Sequence, residues 1–561
     1  MASLPVGSVD YFLNKRHLPS SQVERVPDVE ELEDEELDLG VVPSSLRSAN
    51  FMPPGHDYGI FDSSLASVPS LQSPLFSPVY QELGRISTSK LAERSEKAEA
   101  LRKKLLRNSN VLVVQGGYSG KKFIYDRLQS LGVNVTIMDG PDSFWKTEAE
   151  EGRLHGFIEI DFSETSTVFQ RALENVAMVN TKFDAVTTYY EDAVPLATRL
   201  AYALGFDLNP VEACDIARNK RKTREALKAS GLPSPAFYPI HSERDLDPAI
   251  KTVGFPAVLK PAYGAASLGV FKVEDADEAK RMYGEIMETL KPELDPIWTQ
   301  GTEILMEEFY DGDEFDVDIL LFEGKAVYAK LADNWKCWEP WFQETAGNMP
   351  SLLPEPAAQE LIQLAVDSTL AVGFRYGAFH VEVKWTSRGP RLIEINARMG
   401  GVSVRSSNLE AWGVDLVDQH CMAMLKIPIN PVVPEKGLKM QMSLGLLCPY
   451  DGKVTNDTWL EGIREDERVI FISYEKSVGE TVNGPKETLP DWLGEVRALF
   501  QTKEEMVEFL ESKIMTLQVP VEAKHEEDAI DAQFFLPMEH FPFAPSTYEL
   551  THQDGRNGGA C

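Results

Sequence analysis

This chain has little of what secreted, membrane-spanning or nucleic-acid-binding proteins are built from. Its five cysteines (Cys214, Cys337, Cys421, Cys448 and Cys561) are scattered, odd in number and without a CxxC pair. Neither a disulfide framework nor a cysteine metal site can be read from them. No apolar run approaches the ~18 residues that cross a bilayer. The opening MASLPVGSVDYFLNKRHLPSS has no apolar segment of the signal-peptide kind. Basic residues are scarce, 55 Lys and Arg against 88 Asp and Glu, a net charge of −33. That balance argues against nucleic acid or an anionic membrane as a partner. The absences together point to a reducing, cytoplasmic setting.

What is present is length and apolar content. With 561 residues, 43% of them hydrophobic, the chain has room for three or four domains. Residues 1–88 are rich in Ser and Pro, carry the acidic run 28–38 and show no sustained period, so they read as a disordered leader. Residues 89–209 alternate helix and strand: a helix over 88–107, then strands over 110–115, 133–138 and 183–188. This is the pattern of a parallel, Rossmann-like layer. Its turn Gly116-Gly-Tyr-Ser-Gly120-Lys121-Lys122 is one residue short of a P-loop and lacks the Ser or Thr after the lysine. It reads instead as a βα turn beside a neighbouring site. Residues 210–429 change to α+β, 430–530 form a smaller α+β, β-rich portion, and 531–561 are a tail.

Chemistry concentrates first in a hairpin. The runs Phe379-His-Val-Glu382-Val-Lys384 and Arg391-Leu-Ile-Glu394-Ile-Asn396-Ala-Arg398 flank a Ser-Arg-Gly-Pro turn. Folded back, they bring Glu382 opposite Glu394, with His380 and Lys384 on the same face and Asn396 and Arg398 in the facing row. Directly opposed carboxylates repel one another. A cation between them removes the difficulty, and two Glu with an Asn amide suit Mg²⁺ shared with a polyphosphate, Mn²⁺ being the alternative ion. Arg398 suits phosphate oxygens. His380 is either a donor to a reacting acyl oxygen or structural.

Three upstream elements extend this into an ATP site. A buried strand delivers Lys260 to a loop of small residues, Gly264, Ala265, Ala266 and Ser267, whose backbone N–H groups can close on phosphate. Lys220 and Arg224 stand four apart on a helix over 214–230, so two cations share a face. A third strand runs into Glu307-Glu308-Phe309-Tyr310 and turns at Gly312 towards Glu314, offering backbone hydrogen bonds, flat walls and a carboxylate. Asp333, Glu344, Arg405 and Asn408 are candidates for polar contacts to substrate.

In order and approximate spacing, these residues resemble the ATP-grasp superfamily over roughly residues 105–525. The resemblance implies an ATP-grasp fold with a Rossmann-like (pre-ATP-grasp) N-terminal domain and a small β-rich C-terminal domain. It implies ATP between two subdomains, Lys220 and Lys260 on the phosphates, Glu307 and the 308–310 backbone on adenine, Glu314 on the ribose, and Glu382, Glu394 and Asn396 on Mg²⁺. The implied reaction is carboxylate plus ATP giving an acyl phosphate, which an amine converts to an amide. Within the superfamily the chain is most similar to carnosine synthases, which join β-alanine to L-histidine. The likeness lies in Ala332-Asp-Asn334, Glu344-Thr-Ala346, Met349-Pro350, Arg398-Met-Gly-Gly401 and Trp412-Gly-Val-Asp-Leu416. Where the resemblance calls for an Asp after Arg405, this chain has Ser406. The expected partners are small amino acids and ATP, with a homo-oligomer left open. The rival readings are a ligase for another amino-acid pair, a bicarbonate-phosphorylating carboxylase and an ATP-binding protein without turnover.

Overall fold

The computed structural model describes residues 78–534 apart from 265–266, 291–301, 341, 402, 487–488 and 530–532. Most of the leader, including its acidic run, and most of the tail lie outside the described residues. The leader expectation is too long at its end, because Pro78–Leu83 is a helix with Val79 buried.

Four strands, β1 (Asn110–Val114), β2 (Asn134–Asp139), β3 (Gly156–Glu159) and β4 (Ala185–Thr187), form a parallel sheet in the order β3-β2-β1-β4. Helices between them cover it, as parallel strands require. The single helix expected over 88–107 is two, Thr88–Ala92 and Glu96–Leu105. Ser95 caps the second by accepting from the Ala98 N–H, and a capping residue in extended backbone interrupts a helix. The helix expected over 214–230 is likewise two, Val211–Ala217 and Lys220–Ala229, divided at Asn219, whose side chain caps the second.

A second, antiparallel sheet holds β5 (Phe237–Ile240), β6 (Ala257–Pro261), β7 (Phe271–Val273) and β8 (Ile304–Glu308) in the order β5-β8-β6-β7. Its core, from Ile240 and Leu259 to Ile286 and Met306, packs against helices Leu246–Val253 and Ala276–Thr289.

The third sheet is the largest. It contains β9 (Asp313–Phe322), β10 (Lys325–Asn334), β11 (Ala346–Met349), β12 (Gly377–Thr386), β13 (Gly389–Asn396) and β14 (Met440–Leu447). After β15 (Gly452–Val454) come β16 (Val469–Tyr474), β17 (Thr481–Val482), β18 (Trp492–Phe500) and β19 (Val521–Ala523). The order β13-β12-β9-β10-β11-β14-β18-β16 makes one eight-stranded sheet, and β17-β15-β19 make a small one. The large sheet runs without a break past residue 430, because β14 pairs with β11.

One face of this sheet is apolar. Phe315, Val317, Val381, Val383, Leu392 and Ile395 are buried against helix Glu355–Val372. Burying each such side chain is worth roughly 1.5–3 kcal/mol, against at most about 1 kcal/mol for one pair of opposed like charges. The apolar alternation therefore decides which face points inward. The acidic residues between those positions have only the other face left.

Candidate functional site

The register builds the site. Glu394 of β13 pairs with Glu382 of β12, and Glu382 pairs with Asp316 of β9, so three carboxylates stand side by side on one face. In the next row Asn396 pairs with His380 and His380 with Asp318. In the row on the other side Lys384 pairs with Glu314, and Asn334 of β10 pairs with Glu314 in turn. The expected Glu382–Glu394 pairing holds, but a bulge follows it at Ile393. The bulge frees the Ile393 carbonyl, which accepts from Arg224 Nη2 at 2.7 Å.

The row is electrostatically lopsided. Glu394 accepts from Lys220 Nζ at 3.1 Å. Burial raises its pKa, but Lys220, Arg218 and Lys260 outweigh that and hold it low. Among the described residues, Glu382 accepts only from the Asn396 amide, at 3.0 Å. Burial, then Glu394, Asp316, Glu314 and Glu344, push its carboxyl well above the usual range. Asp316 is raised to about 8, burial outweighing His380. Glu314 is raised by burial too, and its Oε1 lies 3.5 Å from Asn334 Nδ2. Exposed Glu344 adds negative charge to the same face.

His380 hydrogen-bonds Asp318 through Nδ1 at 2.9 Å, with Nε2 3.8 Å from Asp316. Burial lowers its pKa, but Asp316, Asp318 and Glu382 together raise it to about 10. The ring lies between two acidic side chains that favour its charged form. Arg398 reaches Glu191 with Nε at 2.9 Å, the Met399 carbonyl at 3.1 Å and Asn396 Oδ1 at 3.3 Å.

The opposite wall comes from the second sheet and the helix Lys220–Ala229, and it is rich in cations. Lys260 ends β6 and is ion-paired with buried Glu307 of β8. Arg224 donates to the same carboxylate at 3.0 and 3.2 Å. Burial would raise the Glu307 pKa, yet the two cations bring it down to about 2. Burial and the like charges of Arg224 and Lys220 lower that of Lys260 despite Glu307. Gly264 is buried and Ser267 takes φ +56° while its hydroxyl reaches the Phe342 carbonyl at 3.2 Å. Ala265 and Ala266 lie outside the described residues. Glu308 is ion-paired with Arg388, Phe309 stacks 4.5 Å from the Lys272 ammonium, and the Tyr310 carbonyl accepts from Lys384. Gly312 takes φ +82° where a Cβ would stand 2.0 Å from the Trp385 carbonyl oxygen, so only glycine lets this turn close on the hairpin.

Three substrate candidates need correction. Asp333 is buried and saturated by Asn348, Ser351 and the Leu352 N–H, so it is a structural carboxylate. Arg405 is buried in a two-pronged pair with Asp415, at 3.0 and 2.7 Å. Asn408 donates to Asp318 at 2.6 Å and accepts from Tyr328 at 2.6 Å, so it holds the residue that holds His380. The adenine role expected of Glu307 is also narrowed, because its carboxylate is fully engaged by Arg224 and Lys260. Sequence reasoning missed Asp316 and Asp318, although Glu314, Asp316 and Asp318 alternate visibly with Phe315, Val317 and Ile319. It also missed Arg218 and Glu191, which no local pattern marks.

Among the described residues, no group of three or more His, Cys, Asp or Glu is placed to hold a metal ion. Two Glu and an Asn, with a surplus of partly buried carboxylates around them, fit an ion whose other ligands are phosphate oxygens and water. No helix among the described residues is long and apolar enough to cross a membrane.

Comparison with known proteins agrees with this geometry. Residues 253–406 match the ATP-grasp domain and residues 125–206 the ATP-grasp N-terminal domain. The chain is similar to mouse carnosine synthase 1, 31% identical over 361 residues that make up 61% of this chain and 43% of that protein. It is also similar to the alanine–anticapsin ligase of Bacillus subtilis, 28% identical over 261 residues, 44% of this chain and 55% of that one. The chain thus spans less than half the length of the carnosine synthases it matches. Among solved structures, an L-amino acid ligase from Bacillus licheniformis superposes with a TM-score of 0.64 at 22% identity, covering 72% of this chain and 97% of that one. Residues 125–206 and 253–406 are thus matched by ATP-grasp domain models, and the fold is that of an ATP-grasp protein.

Proposed function

We propose that the protein is an ATP-dependent, ADP-forming carboxylate–amine ligase that makes a dipeptide through an acyl phosphate, with β-alanine and L-histidine as the first pair to test. The observation that carries this reading is the Glu382–Glu394 register: two opposed half-buried carboxylates, only one of them balanced by a lysine. Carboxylates are poor electrophiles, and phosphorylation supplies the leaving group they lack. Such a catalyst must hold a polyphosphate and offset charge on a transferring phosphoryl group and then on an oxyanion.

The residues divide that work by position. Lys220 and Lys260 face the phosphates from the cationic wall. Glu382, Glu394 and Asn396 would hold the magnesium or manganese ion, which would supply positive charge beside the polyphosphate. Arg398, adjacent to Asn396, donates to the transferring phosphoryl oxygens. His380, kept charged by Asp316 and Asp318, donates to the acyl oxygen, and Glu344 meets substrate at the exposed rim. Glu314 and the backbone of 308–310 take the ribose and adenine.

The test is phosphate release from ATP and Mg²⁺ with a panel of amino-acid pairs. Release with β-alanine plus histidine supports carnosine-type synthesis. Release with other pairs selects the second reading, a ligase for another dipeptide. Ser406 favours that second reading, as does the likeness to alanine–anticapsin ligase. No release with any pair removes the ligase assignment.

A further inference from the structure

The turn after β1 takes no part in the roles above, yet it ends at the site. Ser119–Lys121 is a single 3-10 turn leading into helix Lys122–Ser130. A Cβ on Gly117, at φ +72°, would stand 2.9 Å from Cδ of Lys121, and one on Gly116 would stand 2.4 Å from the Trp145 ring. Gly117 lets the Lys121 stem lie back across its own turn, and Gly116 lets the turn close on the Trp145 ring. Its ammonium donates to the Tyr189 carbonyl and sits 5.6 Å from the Tyr190 ring.

The next turn, Glu191–Ala193, brings two carboxylates to this corner, and both already have arginine partners. Arg218 donates to Glu191 at 3.3 Å and to Asp192 at 2.6 Å, while Arg398 lies 2.9 Å from Glu191. Three cations therefore share two carboxylates. Lys121 is the one without an ion pair among the described residues. Burial and the neighbouring charge of Arg398 lower its pKa to about 7, with Glu191 and Asp192 offsetting only part. A half-buried ammonium near a guanidinium, with one charge uncompensated, suits an anion carrying one negative charge. The polyphosphate has its own lysines, Lys220 and Lys260, on a different wall.

We propose that Lys121 and Arg398 together seat the carboxylate of the acyl-donor amino acid, where the parallel layer meets the hairpin. This rests on the ligase reading and deepens it by naming a binding residue outside the ATP-grasp domain match. The glycine-rich turn then serves to aim a lysine at the substrate.

The test uses the full chain as wild type, Lys121→Met, Lys121→Arg and Gly117→Ala. The acyl donor is identified as the amino acid that yields hydroxamate with ATP and hydroxylamine. Lys121→Met should raise the KM for that donor roughly 10- to 100-fold, the loss of one charge-assisted contact. The KM for ATP and the calorimetric affinity for Mg·ADP should stay within about two-fold. Lys121→Arg should restore most of the loss. In the wild type the donor KM should climb as pH rises through about 7 and the ammonium loses its proton, whereas Lys121→Arg should be flat over that range. Besides Arg398, the groups facing Lys121 are Glu191, Asp192 and the Tyr190 ring. An unchanged donor KM in Lys121→Met overturns the inference, as does a loss confined to Mg·ADP binding. Should Lys121→Met not fold, Gly117→Ala displaces the same stem, and an unchanged donor KM there has equal force. A wild type that makes neither hydroxamate nor phosphate with any amino acid fails as a ligase, and the inference fails with it.

Discussion

The two walls of the site handle buried charge in opposite ways. On the cationic wall Glu307 is matched by Arg224 and Lys260, and nothing is left over for its carboxylate to bind. On the acidic face Glu382, Asp316 and Glu314 outnumber their cations, and burial drives all three carboxyls towards the neutral form. A closed ion cluster holds two elements together, here the helix Lys220–Ala229 and β8. An open one is a cost to the fold that a ligand can remove. The difference separates scaffold from site more clearly than residue type does, since both walls are made of the same few kinds of side chain.

That contrast can be broken by mutation, and the largest effect belongs to the open side. Glu394→Ala should abolish ATP-dependent phosphate release, a loss of about 10³-fold or more, with the melting temperature little changed. Retained turnover would remove the metal assignment. On the closed side Glu307→Gln leaves Arg224 and Lys260 buried without a counter-charge. It should cost about 3–5 kcal/mol of stability in urea unfolding. The same pair predicts a pH dependence. With the Glu307 pKa held at about 2, its contribution is complete above the ordinary carboxylate pKa and lost as pH falls from there through about 2. Glu307→Gln should lack that part of the acid transition.

Arg398→Met should slow turnover about 10²–10³-fold while Mg·ADP still binds, measured by calorimetry beside steady-state rates. A fall in nucleotide affinity alone would move Arg398 to the other wall. The smallest effect is expected at Asp333, which burial raises to about 6 against the hydrogen bonds of Ser351, Leu352 and Asn348. Asp333→Asn should change unfolding free energy by about 1 kcal/mol and leave every KM within about two-fold. A large KM change would restore it to the substrate site.

The candidate residues divide along the same line when judged from the sequence. Glu382, Glu394 and Asn396 could be placed together because a hairpin is local: turn chemistry and a period of two settle which residues face one another. Asp316 escaped because its strand lies more than sixty residues upstream of the strand it pairs with, and no turn links them. Arg405 and Asn408 are polar candidates for substrate contact in the sequence, which carries no sign of the partners they meet in space. Their partners Asp415 and Asp318 close them off instead. Helix ends were misjudged where a capping Ser95 or Asn219 outweighed a continuous helical pattern.

Composition, the apolar alternation of each strand and the hairpin turn were enough to establish a Rossmann-like layer followed by α+β sheets, and two glutamates facing each other beside an arginine. Those features depend on backbone geometry within a dozen residues, which a sequence carries directly. Which carboxylates end up balanced was decided only when distant strands and helices packed. Glu307 became scaffold and Glu382 did not, because the Arg224 and Lys260 that neutralise one come from elsewhere in the chain, and no comparable pair of cations reaches the other. Charge compensation in a buried site depends on distance in space, and a linear order of residues does not contain that quantity.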